Sequence, residues 1–63
     1  MDIANLGLGR KEIRLTDLEL RIMCNCMNEA CNGLSMSDFK IIVGAERDEA
    51  QGMLDKLLSA LGE

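Results

Sequence analysis

The chain contains no histidine, proline, tryptophan or tyrosine, and phenylalanine occurs once, as Phe39. Without histidine it lacks the side chain that titrates most readily near neutrality and the commonest zinc ligand. No nucleophile has a base beside it in the pattern that covalent catalysis requires, so no enzymatic activity and no cofactor are expected. Poverty in aromatics means a core built from leucine, isoleucine, methionine and cysteine, and the five methionines pack adaptably but specify shape weakly. No apolar run approaches the ~18 residues of a membrane span, and no signal-peptide core is present, so a soluble cytoplasmic protein is expected.

Three cysteines, Cys24, Cys26 and Cys31, are an odd number without paired spacing. Cys24 and Cys31 are two helical turns apart, ~10 Å along an axis, beyond disulfide reach. Cys26 points away from Cys24 on the same helix, and four converging zinc ligands cannot be assembled. Reduced thiols acting as small hydrophobes, with no metal, are the expectation.

The net charge is −4 and unevenly placed. Arg10, Lys11 and Arg14 make residues 1–15 mildly basic, whereas residues 16–63 carry the acidic excess. An acidic body repels a phosphate backbone, so protein rather than nucleic acid is the expected partner. Glu46, Asp48, Glu49 and Asp55 form a carboxylate cluster without the oxygen spacing of a calcium loop and read as a solvated helix face.

What is present is helical pattern. The stretch from Leu15 to Gly33 opens with Thr16 as N-cap and Glu19 three residues on, a capping box, flanked by the staple pair Leu15 and Leu20. At 100° per residue, Leu20, Met23, Cys24, Cys26, Met27, Ala30, Cys31 and Leu34 share one arc. Arg21, Asn25, Asn28 and Asn32 share a polar stripe on the other side, Leu18 and Ile22 fit neither, and Gly33 is a natural helix stop. Ser35 and Asp38 open a second helix, with Leu34 and Phe39 as its staple and Gly44 to end it; Ile41 is its partly exposed residue. Ala50, Met53, Leu54, Leu57, Leu58 and Leu61 give a third, capped weakly by Glu46. Helices are expected near 17–32, 36–43 and 47–61, around Leu20, Met23, Met27, Cys31, Phe39, Ile42, Val43, Ala50, Leu54, Leu57 and Leu58.

Residues 1–10 read as a flexible arm. Gly7 and Gly9 do not make a phosphate loop, because Glu12 stands where the motif requires a third glycine. Residues 11–15, KEIRL, alternate with period two, an extended segment that lies along the helices or pairs with its copy in a dimer. The expected fold is therefore all-α: a small three-helix bundle over residues 11–63 with an extended N-terminal arm.

The last two helices, with Phe39, Val43, Gly44, Ala45, Ala50 and Met53, resemble a helix-turn-helix, although Lys40 replaces a small buried residue and the recognition helix would begin acidic. KEIRLT followed by NGLSMSDFKIIV resembles the ribbon-helix-helix repressors and antitoxins, which implies a dimer whose paired strands read DNA through Glu12, Arg14 and Thr16. The expected function is a small acidic protein-binding module of regulator, inhibitor or immunity/antitoxin type. Its partner-binding candidates are Arg21, Asn25, Asn28, Asn32, Glu46, Asp48 and Glu49. The alternative is a dimeric DNA-binding regulator using Arg10, Lys11 and Arg14. Homodimerisation suits both, because Ile13, Leu15 and Ile22 lack intrachain burial.

Overall fold

A computed structural model describes residues 1–62. In chain order it has strands β1 (Asp2–Gly7) and β2 (Arg10–Arg14), then helices α1 (Asp17–Gly33), α2 (Met36–Val43) and α3 (Arg47–Ala60). The all-α three-helix bundle is thus corrected to a β-hairpin followed by three helices. In place of an extended arm, β1 supplies the second strand that the alternation of KEIRL requires, and the pairing is antiparallel and within one chain.

The hairpin was hidden by its turn. Leu8 and Gly9 connect the strands, and both have positive φ, 54° and 75°. Such two-residue connections match the right-handed strand twist and ordinarily carry Asn-Gly or Asp-Gly. A leucine there gives no turn signal. The side-chain Oδ1 of Asn5 accepts the Gly7 N–H at 3.0 Å, where the register slips between Asn5 and Gly7. An asparagine side chain bonding its own backbone two residues on is a local turn device, and here it shapes the approach to the bend.

Local chemistry explains the helix boundaries. The Thr16 hydroxyl accepts the Glu19 N–H at 3.1 Å, and Glu19 accepts the Thr16 N–H at 3.0 Å, so the capping box is complete. Ser35 accepts from the Asp38 N–H at 3.2 Å, and Gly44, at φ 83°, closes α2 in the left-handed conformation. Glu46 stands at the N-cap of α3 without a side-chain bond. Gly33 departs from expectation: it stays within α1, and Leu34 ends the helix in an extended conformation.

α1 packs chiefly on α3, with α2 lying against α3. The buried residues are Cys24 and Cys31 from α1, Phe39 from α2, and Ala50 and Leu54 from α3. Phe39 joins Cys31 and Ala50, with Ala30 and Leu34 packed against them. Leu20, Met23, Met27, Leu57 and Leu58 are half-buried. Ile42 and Val43 are exposed, contrary to expectation, at 66% and 40%. A two-turn helix has room for one deep side chain, and Phe39 takes it; Ile42 then lies about 60° round from it. Cys26 is also exposed, so the burial expected of all three thiols holds for Cys24 and Cys31 alone.

Arg47 locks the helices together. Its guanidinium lies over the Phe39 ring, 5.3 Å from the centroid, and donates to the Leu34 carbonyl at the end of α1. One side chain at the start of α3 therefore holds both the α1–α2 connection and the central residue of α2.

Candidate protein-interaction surface

The corner where α2 turns into α3 combines two kinds of exposed chemistry. Ile41, Ile42 and Val43 close α2 consecutively, with Ile41 82% exposed. Gly44 reverses the chain, and the first turn of α3 then presents Glu46, Asp48 and Glu49, all exposed. Because Phe39 orients α2 inward, its last turn turns the two isoleucines to solvent. Asp48 and Glu49 lie in the first turn of α3, at the positive end of its dipole, where acidic side chains are stabilising. Lys40 reaches Glu46 across the turn at 2.8 Å, an exposed ion pair worth at most about 1 kcal/mol. The result is a small apolar patch edged by carboxylates.

The second candidate region is the polar stripe of α1. Arg21, Asn25, Asn28 and Asn32 are all exposed. Asn28 lies only about 40° round the helix from buried Cys24, so the stripe flanks the packed face rather than opposing it. Asn32 donates from Nδ2 to the Asn28 carbonyl at 2.8 Å and to Asn28 Oδ1 at 3.0 Å. These two side chains are thereby ordered along the helix, and part of their hydrogen-bonding capacity is already used. The stripe and the carboxylate corner lie on different helices.

Arg10, Lys11 and Arg14 all lie on exposed β2. Arg14 bonds Glu12 Oε1 at 3.3 Å, and Lys11 Nζ lies 3.5 Å from Asn5 Oδ1. A shallow open depression on this hairpin is lined by Asp2, Ile3, Ala4, Glu12 and Arg14. Thr16 serves as the α1 cap, and its hydroxyl is engaged there rather than facing outward for readout.

Among the described residues, no three His, Cys, Asp or Glu side chains are placed to hold a metal ion, and no helix is long and apolar enough to cross a membrane. Sequence reasoning missed two residues that position these surfaces. Leu8 bends the hairpin, and Arg47 fixes the α2–α3 corner by covering Phe39. A signal for Arg47 did exist: a cation in the first turn of a helix opposes the dipole, so its presence there points to a tertiary role. No protein-family model, no curated protein and no solved structure matches this chain.

Proposed function

We propose that this chain is a small non-enzymatic protein-binding module, of regulator, inhibitor or immunity/antitoxin type, that engages its partner through the α2–α3 corner. The observation that carries the reading is the run Ile41–Val43, exposed beside Glu46, Asp48 and Glu49. Apolar anchors at the centre and charges at the rim are the anatomy of a protein interface. The fitting partner offers an apolar pocket ringed by basic groups. Opposite charge would speed encounter, and the isoleucines would slow release.

The test is affinity capture from the source organism with the wild-type chain, followed by calorimetry on the purified partner. Ile41→Lys should weaken binding by at least ~30-fold, the scale of an interface hot spot. Paired Asp48→Lys and Glu49→Lys changes should lower the association rate and its salt dependence. A partner bound equally well by both variants would refute the assignment.

A second reading draws on the hairpin: a two-stranded ribbon fits the major groove of DNA, and β2 exposes Arg10, Lys11 and Arg14 along it. The acidic remainder of the chain opposes it. This reading requires duplex retention that weakens steeply with salt and with Arg14→Ala.

A further inference from the structure

The polar stripe of α1 ends in the dipeptide Asn32-Gly33, which neither the core nor the α2–α3 corner uses. Leu6, Cys26 and Glu29 follow Asn5, Asn25 and Asn28, whereas Asn32 alone is followed by a residue without a Cβ. An asparagine amide is tethered beside the next peptide nitrogen. Ring closure between the two is therefore intramolecular, and its rate depends on how freely they approach. A side chain on the following residue crowds that nitrogen; glycine does not. Asn32 and Gly33 are both exposed, and no heavy atom beyond the local helix backbone lies within 4 Å of where a Gly33 Cβ would stand. Water and movement are both unobstructed there.

Both residues lie in the last turn of α1, and that turn governs the approach. A helical Gly33 gives its N–H to the carbonyl four residues back. The Asn32 amide is held the same way, Nδ2 donating to the Asn28 carbonyl at 2.8 Å and to Asn28 Oδ1 at 3.0 Å. While the turn is formed, both reacting groups are thus engaged back along the helix. The turn itself is weakly held. Leu34 is already extended, its N–H reaches the Ala30 carbonyl at 3.3 Å, and glycine loses more backbone freedom in a helix than any other residue. Helix ends of this kind open locally far more often than the core does.

We propose that Asn32 is a spontaneous deamidation site, shut by the last turn of α1 and opened when that turn frays. In the open turn the Gly33 nitrogen, its proton taken by hydroxide, attacks Asn32 Cγ. The new C–N bond forms, the bond from Cγ to Nδ2 breaks, and ammonia leaves. The product is a five-membered imide, and water adds to one or other of its carbonyls to give aspartate or isoaspartate. The helix end then changes character. An amide that donated to Asn28 becomes a carboxylate that only accepts, so both bonds are lost. Its charge falls at the negative end of the α1 dipole, where the last turn has no basic residue, in a chain already at −4. Nothing in this chemistry depends on the α2–α3 corner.

The test is prolonged incubation of the whole chain at neutral pH, native and in guanidinium chloride, followed by mass spectrometry of tryptic peptides. Residues 22–40 form one such peptide, and its fragmentation separates Asn25, Asn28 and Asn32. The mass gain of NH2 replaced by OH should appear at Asn32 first, more slowly in the native chain than in denaturant. Gly33→Ala should slow it at least ~10-fold in the native chain, by crowding the nitrogen and holding the turn closed. Asn28→Val removes the Oδ1 acceptor at similar helix propensity. It should speed the native reaction about 3-fold, the scale of one exposed hydrogen bond, and leave the rate in denaturant unchanged. Asn32→Asp, the product in place, should lower the urea midpoint. Conversion at Asn25 or Asn28 as fast as at Asn32 would overturn the proposal. So would equal rates in native and denatured chain, an unchanged native rate in Asn28→Val, or an Asn32→Asp midpoint at or above wild type.

Discussion

Replacing Arg47 by methionine isolates what its guanidinium does, because the apolar stem is retained. The planar group stacked 5.3 Å from the Phe39 centroid contributes about 0.5–1 kcal/mol. Its bond to the Leu34 carbonyl, from a charged donor in a part-buried place, contributes about 1.5–3 kcal/mol. Two terms oppose these. Arg47 Nε is buried without a partner, which costs about 1–3 kcal/mol. A cation in the first turn of α3 costs a further ~0.3–1 kcal/mol against the dipole. At mid-range the favourable terms exceed the opposing ones by only about 0.4 kcal/mol, and Arg47→Met should lose about that much. Chains of this size hold only ~3–5 kcal/mol in all. The urea midpoint, followed by far-ultraviolet circular dichroism, should therefore fall by about a tenth with unchanged slope. Arg47→Lys keeps the charge but loses the planar fork, and should fall between wild type and Arg47→Met. A midpoint equal to or above wild type in Arg47→Met would refute the reasoning and make desolvation the dominant effect of this side chain.

Two further outcomes follow from local geometry. Leu8 holds a left-handed conformation, at φ 54°, that costs an L-residue roughly 1–2 kcal/mol. Leu8→Asn should stabilise the hairpin by about 1 kcal/mol, seen as slower amide exchange in β1 and β2; unchanged or weaker protection would count against the turn assignment. The Glu19 carboxyl is held below the usual glutamate range, chiefly by the Thr16 N–H it accepts and then by the Met1 amino group 3.1 Å away. A depressed folded value means stabilisation that is present above the unfolded pKa and lost as pH falls through the folded one. The stability gap between wild type and Glu19→Gln should therefore narrow on acidification below the ordinary carboxylate range. A gap constant with pH would show that the charge on Glu19 is immaterial.

The sequence by itself determined what depends on near neighbours along the chain. Thr16 with Glu19, Ser35 before Met36, and Gly44 after Val43 mark helix ends through bonds spanning three or four residues, and the helices begin and end within one residue of expectation. The exposure of Asp48 and Glu49, opposite the apolar positions of α3, likewise follows from helical periodicity. Tertiary structure decided the rest. β1 became a strand only because β2 lies within reach, and a Leu-Gly bend advertises no such partner. Ile42 and Val43 face solvent because Phe39 alone occupies the inward face of α2. Arg47, acting over the separation from Leu34, fixes how α3 meets the other helices. Each outcome rests on contacts between segments distant in the chain, whose geometry is set by packing and not by propensity or periodicity.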